Sequence, residues 1–314
     1  MWRIWVPAFA GMTGRLQAHS NMSELHALVT AELGRPVDPR VTAMATAIAA
    51  VHGEASRAVL FYGSCLRSAD LDGQMLDFYL IVSSYRAAYR GGWRALANRL
   101  LPPNVFPFAH EGLAAKYAVL SEADFHRLNG PETLNVSVWA RFAQPSRLVW
   151  FADAAARQGA FESVARAAPT LLAAARPLAP ESGDPLDIWR AAFTLTYGAE
   201  LRAERNARPG AMVDAEPDRY IRFTDPALAA IPAATVLPAA ARRRWRLRRL
   251  QGKTLSVLRL AKASLTFAGG IDYLAWKINR HAGTAIEIRP WQRRWPLLGA
   301  VVLVPKLLRS GAVR

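Results

Sequence analysis

The sequence predicts an α+β protein in which a small sheet is followed by a mainly helical region and a basic C-terminal segment. Apolar residue types supply 52% and charged types 20% of the 314 residues, a composition typical of a globular protein. Short β-rich apolar runs occur in the first half of the chain, and alanine-rich helical patterns occur after them. Positive charge is concentrated at the C-terminal end.

Three apolar runs predict the strands of the sheet, and two patterns predict the helices beside them. The runs are Val59–Tyr62, Met75–Val82 and Lys116–Leu120. Val41–His52 is alanine-rich with apolar residues at helical spacing. Ser121-Glu-Ala-Asp124 has the form of a capping box, so we expect a helix to begin there.

The second half of the chain is predicted to be helical. A helical stretch extends from about Leu148 to Arg176, a linker covers Pro177–Pro185, and Ile188–Arg205 forms the next helix. Prolines and glycines between Pro209 and Pro238 indicate loops around short elements. Ala240–Phe267 is predicted to be a basic helix.

These patterns divide the chain into four regions. Residues 1–21 resemble a translated intergenic repeat, so we expect them to be a non-native extension and translation to begin at Met22. Residues 22–147 form the sheet-containing domain, 148–238 the helical domain and 239–314 the basic segment.

The basic segment carries almost all of the net charge. Of 40 Lys+Arg and 24 Asp+Glu residues (net +16), residues 239–314 hold 17 basic and 2 acidic, a net of +15. The remainder therefore holds 23 basic and 22 acidic residues, a net of +1. Such a segment is expected to meet an anionic partner. We expect no transmembrane span, because the apolar run Leu297–Val304 is far shorter than the roughly 20 residues a spanning helix needs.

A glycine-serine pair and an aspartate indicate a site that binds phosphate and a metal ion. Gly63 follows the first predicted strand and lets the backbone turn sharply. Ser64 is expected to begin a helix, whose first N–H groups and the serine hydroxyl would meet a phosphate. Asp77 interrupts the second strand, and a carboxylate among apolar residues needs a cation or a donor. Mg²⁺ suits it, because that ion takes one or two carboxylates and completes its shell with phosphate oxygens. The alternatives are an ordinary tight turn and an ion pair between Asp77 and Arg67.

This arrangement resembles the nucleotidyltransferase fold of the DNA polymerase β superfamily, with Tyr79 in place of a second acid. Five short sequence motifs, in this order along the chain, resemble those of the mitochondrial-type phosphatidate cytidylyltransferase (CDP-diacylglycerol synthase) family. They are Phe61-Tyr-Gly-Ser-Cys-Leu-Arg67, Gln74-Met-Leu-Asp-Phe78, Lys116-Tyr-Ala-Val-Leu-Ser121, Ala140-Arg-Phe-Ala-Gln-Pro145 and Leu195-Thr-Tyr-Gly198. Cys65 and Ala118 depart from the family, which usually has glycine at both places.

The resemblance implies transfer of CMP from CTP to phosphatidic acid with Mg²⁺ as cofactor, and a winged-helix-like second domain. Asp77 would hold the metal, and Tyr62, Gly63, Ser64 and Lys116 would bind the nucleotide. Lys116 would also offset charge at the α-phosphate or leaving group, unless it is an edge-strand lysine that blocks aggregation. The second metal ligand stays open among four acids: Asp70, Asp72, Glu111 and Asp124.

Tryptophans within the basic segment favour a lipid headgroup interface as its partner. Arg242–Arg249 holds six arginines in eight positions, and four tryptophans lie among the charges: Trp245, Trp276, Trp291 and Trp295. We therefore expect residues 239–314 to bind an anionic membrane surface. The whole protein would then be a peripheral protein on the cytoplasmic face of the cell membrane. The alternative is a nucleic-acid-binding protein of the same fold, because arginine with aromatic residues also suits single strands.

Overall fold

The chain folds around a mixed five-stranded sheet, which confirms the α+β class. The computed structural model describes residues 23–66, 71–200, 210–232, 236–266 and 288–290. The strands are β1 (Ser56–Tyr62), β2 (Met75–Val82), β3 (Asn104–His110), β4 (Leu113–Ser121) and β5 (Ser146–Phe151). Their order in the sheet is β3-β4-β2-β1-β5. The β2–β4 pair is parallel and the other three pairs are antiparallel.

Helices cover both faces of the sheet. In chain order they are α1 (residues 23–33), α2 (Pro39–His52), α3 (Tyr85–Tyr89), α4 (Gly92–Leu100), α5 (Glu122–Asn129), α6 (Trp139–Phe142), α7 (Ala154–Ala165), α8 (Ala167–Ala175), α9 (Pro185–Tyr197), α10 (Ala211–Ala215), α11 (Pro217–Ala229) and α12 (Pro238–Thr266).

Alternation along the strands creates two separate cores. One face, which carries Leu76, Phe78 and Leu80, packs against α2 and Tyr85. The opposite face, which carries Tyr79 and Ile81, packs against the helices that follow the sheet. Asp77 is in phase with the second set, so its side chain belongs to the face that the C-terminal helices cover.

Local capping explains where two of the predicted helices begin. Asp38 precedes α2 and its Oδ1 accepts a hydrogen bond from the Arg40 backbone N–H at 2.8 Å, with proline at the first helical position. Ser121 ends β4, and its Oγ accepts from the Asp124 backbone N–H at 3.2 Å. The capping box predicted at Ser121 is therefore the start of α5.

Two strands lie where the sequence patterns did not indicate them. The predicted helix from Leu148 is wrong at its start, because β5 extends to Phe151 and α7 begins at Ala154. β5 pairs with β1 across the predicted boundary at residue 147. β3 was also missed, since Pro107 within it argues against a strand. Pro107 is tolerated in β3 because β3 is an edge strand.

The loops predicted for Pro209–Pro238 are also partly wrong, because α11 is a helix of 13 residues. Pro217 stands in its first turn, where its missing N–H costs nothing. The helix also contains Pro226. Two of the prolines that indicated loops therefore lie at the start and in the interior of a helix.

The basic helix agrees with its prediction in extent but not in the placement of Trp245. Its inward face packs on the body through Ala241, Trp245, Arg248 and Gly252. Trp245 is only 1% exposed and its indole N–H donates to the Ala174 carbonyl at 2.9 Å, so its expected place at a headgroup interface is wrong. A side chain at Gly252 would collide with the carbonyl oxygen of Ala199, which explains the glycine there.

The helix predicted for Ile188–Arg205 is wrong at its end, because α9 ends at Tyr197. Several other predictions fall outside the described residues: the extension 1–21, Asp70, Arg67, and Trp276, Trp291 and Trp295. Among the helices that the structure describes, none combines the length and apolar character that crossing a bilayer demands.

We predict that Glu32→Ala lowers the free energy of unfolding by about 3–5 kcal/mol. Glu32 on α1 and Arg219 on α11 form an ion pair in which both side chains are less than 8% exposed, with Nη2 2.9 Å from Oε1. Without Glu32 the guanidinium is left buried and unpaired. Urea unfolding checks this, with Glu24→Ala, an exposed site on the same helix, as the control. Equal losses in the two variants would contradict it.

Candidate functional site

The sheet brings Tyr62, Asp77 and Lys116 side by side on three neighbouring strands. Tyr62, the last residue of β1, pairs with Asp77 near the start of β2. Asp77 pairs in turn with Lys116 on β4, which is parallel to β2. Side chains at paired positions share a face of the sheet. Residues far apart in the sequence therefore meet at the strand ends where Gly63 and Ser64 follow β1.

Asp77 and Lys116 form an ion pair at this place. Nζ of Lys116 lies 2.8 Å from Oδ1 of Asp77, and the two side chains are 29% and 21% exposed. β4 lies between β3 and β2, so the alternative of an edge-strand lysine is wrong. The contact is not aligned as a hydrogen bond, and Oδ1 is buried without a hydrogen-bond donor among the described residues. The carboxylate therefore keeps unused acceptor capacity at Oδ1, beside the lysine ammonium.

Gly63 approaches the other oxygen of Asp77. Its φ is +97°, and a Cβ built there would stand 3.1 Å from Oδ2. Glycine is thus required twice, for the positive φ and for the close approach. This contact ties the glycine-serine turn directly to the aspartate, as the sequence predicted.

The turn after Gly63 differs from the prediction in its form. Ser64 is exposed and begins a 3₁₀ turn, Ser64–Leu66, where we expected a helix. Cys65 is buried, with its Sγ 3.7 Å from the Met75 carbonyl oxygen, and burial raises the pKa of its thiol. Cys65 is thus a packing residue that holds the turn on the sheet.

Arg141 is a site residue to which sequence reasoning assigned no role. Its guanidinium donates to the Tyr79 hydroxyl at 3.1 Å and stacks over the Tyr62 ring, 5.2 Å from the centroid. Burial, followed by the nearby charge of Asp77, raises the pKa of the Tyr62 hydroxyl well above its ordinary value. The sequence did contain a signal for this residue, because Arg141 lies within the family-like motif Ala140–Pro145.

The donor set fits a magnesium ion only in company with phosphate oxygens. Asp77 offers one carboxylate, and no group of three or more acidic, histidine or cysteine side chains suited to a metal occurs within the described ranges. Mg²⁺ accepts one or two carboxylates when substrate phosphates complete its shell. Asp77, whose Oδ1 is paired with Lys116 but accepts no hydrogen bond from a described residue, meets that minimum.

The described acids proposed as a second ligand are engaged elsewhere. Asp72 is 78% exposed and pairs with Arg40 at 3.1 Å. Glu111 lies beside His110, at 3.8 Å, in the turn between β3 and β4. Asp124 accepts from the Tyr85 hydroxyl at 2.6 Å and follows the far end of β4. At about 3.3 Å per residue, that end of the strand is more than 15 Å from Asp77.

Comparison with protein-family models gave no match for this chain, and comparison with curated proteins gave none either.

We predict that Gly63→Ala destabilises the protein by about 1–3 kcal/mol, because it adds a strained positive φ and pushes a methyl group against Asp77. Gly73→Ala is the matched control: its φ is +67°, but nothing lies within 4 Å of a Cβ there. Thermal unfolding of both variants separates the contact from the strain. Equal shifts would show that the approach to Asp77 carries no energy.

Proposed function

We propose that the protein is a CTP:phosphatidate cytidylyltransferase, which forms CDP-diacylglycerol and pyrophosphate. The observation that carries the proposal is the Asp77 carboxylate: its buried Oδ1 lies 2.8 Å from Nζ of Lys116 and accepts no hydrogen bond from a described residue, and its Oδ2 faces Gly63. A carboxylate beside a lysine and a tight glycine turn suits a metal-bound triphosphate. The five sequence motifs that resemble the cytidylyltransferase family indicate that the substrates are CTP and phosphatidic acid.

The reaction is a displacement at the α-phosphorus of CTP. An oxygen of the phosphatidate phosphate forms the new bond to that phosphorus, and the bond to the bridging oxygen of the β-phosphate breaks, so that pyrophosphate leaves. The second pKa of a phosphate monoester is about 6, so the nucleophile is already deprotonated near neutral pH. No strong general base is needed, which agrees with a site built around one carboxylate.

In this proposal catalysis comes from positioning and from neutralisation of charge. Asp77 would hold Mg²⁺, which supplies positive charge to the triphosphate when it is bound. Lys116, 2.8 Å from Asp77, would turn its ammonium to the α-phosphate or the leaving group. Gly63 and Ser64 would present the backbone of their turn to the outer phosphates. The polymerase-β-like fold and the winged-helix-like second domain remain part of this proposal.

The outward face of α12 supports an anionic membrane as the partner of residues 239–314. Leu247, Leu250 and Leu258 are 54%, 69% and 48% exposed. Exposed arginines lie among them, including Arg243 and Arg246. Leucine with flanking arginine on one helix face is the pattern of a helix lying in a membrane interface. The protein would then work as a peripheral protein at the cytoplasmic face of the cell membrane.

The same helix weakens the nucleic-acid alternative. That alternative needs aromatic rings on which bases can stack, and in the described part of the basic segment the Trp245 ring is buried in the body. An exposed leucine stripe contributes little to a phosphodiester backbone but much to a lipid surface.

The first functional prediction is that Asp77→Asn abolishes transfer of label from CTP to phosphatidic acid vesicles with Mg²⁺ present. The amide binds the ion poorly and cannot pair with Lys116, so we expect a loss of at least about a hundredfold. Asp225→Asn, an exposed site on α11, is the control and should be fully active.

A folded wild-type protein that binds CTP but forms no lipid-linked CMP would contradict the proposed function. Full activity in the Asp77→Asn variant would instead contradict the role of Asp77.

The second functional prediction is that replacing both Leu247 and Leu250 by Gln weakens binding to anionic vesicles by about tenfold or more, because each leucine loses its burial in the interface. Val51→Gln, at a valine on α2 that is 52% exposed, should leave binding unchanged. Vesicle flotation at two salt concentrations measures both effects. Retention of full binding by the double variant would exclude this face of α12.

A further inference from the structure

Two guanidinium groups from distant parts of the chain meet at Ser137. Nη1 of Arg141 donates to the Ser137 carbonyl oxygen at 3.3 Å, and Nη1 of Arg259 donates to the Ser137 hydroxyl at 3.2 Å. Arg141 belongs to α6, whereas Arg259 belongs to α12 and also donates through Nε to the Pro102 carbonyl at 2.9 Å. One residue thus anchors both side chains beside each other.

The anchoring leaves part of each guanidinium unused. Nη2 of Arg141 and Nη2 of Arg259 have no hydrogen-bond acceptor among the residues that the structure describes. Arginine has five N–H donors in a planar fork, and that fork matches the oxygens of a phosphate. Fixing one side of the fork orients the other side at little further entropic cost.

Positive charge at this place is not balanced by ion pairs. No ion pair between described residues joins a carboxylate to Arg141, Arg259 or the neighbouring Lys262. Burial disfavours the charged form of Arg141, but the nearby Tyr62, Tyr79, Glu200 and Asp77 raise the pKa of its guanidinium well above its ordinary value. Burial lowers the pKa of Arg259 and lowers that of Lys262 to about 7, so the charged forms are held at a cost. A bound anion would remove that cost.

The cluster lies next to the candidate site. The Arg141 guanidinium stacks on Tyr62, and Tyr62 pairs across the sheet with Asp77. An anion at the two arginines would therefore stand beside the Asp77 carboxylate, on the same face of the sheet.

We propose that Arg141 and Arg259 form a binding site for a phosphate monoester, which is complete only when α12 is docked on the body. The inference deepens the proposed function, since phosphatidate is a phosphate monoester, but the site rests on the anchored guanidinium groups of Arg141 and Arg259 and not on that function. Because α12 also carries the outward leucine stripe, binding of the helix to a membrane and completion of the phosphate site would be coupled.

The test measures binding to vesicles that contain either phosphatidic acid or phosphatidylglycerol at equal surface charge. We expect the wild-type protein to prefer phosphatidic acid. Arg259→Lys and Arg141→Lys should each reduce that preference by about tenfold or more, because lysine keeps the charge but loses the fork. Binding to phosphatidylglycerol should not change. Arg249→Lys is the matched control, at an exposed arginine on the same helix, and should keep the preference.

A second arm identifies the source of the phosphate. Inorganic phosphate and CTP are titrated into the same variants without lipid, with the thermal unfolding midpoint as the readout. Stabilisation that is lost in both variants, with the lipid preference unchanged, would assign the site to a free phosphate and would still support it. Unchanged binding in both arms, in variants that unfold at the wild-type temperature, would overturn the inference.

Arg259→Gln covers the case in which a lysine variant retains binding through its charge. If Arg259→Gln is folded and still prefers phosphatidic acid, the inference is wrong. Since every readout here is binding, an inactive protein that shows the selective loss supports this site while the proposed function fails. An active enzyme whose arginine variants keep the preference for phosphatidic acid supports the proposed function, while this site fails.

Discussion

The contact between Asp77 and Lys116 is the interaction on which the remaining chemistry depends. It exists because β2 and β4 are parallel and in a register that sets the two residues opposite each other, 2.8 Å apart. A lone carboxylate in an apolar strand would be costly, and the lysine ammonium offsets that cost. The Gly63 turn lies close to the second oxygen, and the first oxygen accepts no hydrogen bond from the residues that the structure describes.

Helix α12 serves two surfaces at once. Its inward face, with Trp245 and Arg248, packs against the helices that cover the sheet, and Arg248 lies 5.2 Å from the Trp245 ring centroid. Its outward face exposes leucines between arginines. Arg259 lies on the inward side and reaches the loop before β3. A helix of this kind can link a membrane surface to a site on the sheet, because one rigid element carries both sets of side chains.

The sequence predicted those parts of the molecule that depend on local pattern. The bounds of β2 are Met75–Val82 as expected, because an apolar run that only Asp77 interrupts is closed by polar residues at both ends. The proximity of Gly63 and Asp77 was also predicted, from a strand, a turn and a second strand. Trp245 was misplaced because α12 has apolar residues on two faces, and periodicity alone does not say which face is inward. The meeting of Arg141 with Arg259 is a tertiary contact between residues more than a hundred positions apart, which no local pattern encodes.

The most direct test of this account is the binding of a paramagnetic divalent ion, Mn²⁺ in place of Mg²⁺, followed by electron paramagnetic resonance. One carboxylate without further protein ligands should bind the ion weakly alone and tightly once CTP supplies phosphate oxygens. Substitution of Asp77 by Asn should remove the CTP-dependent binding. Tight binding of Mn²⁺ without nucleotide, or CTP-dependent binding that survives the loss of the carboxylate, would contradict the account.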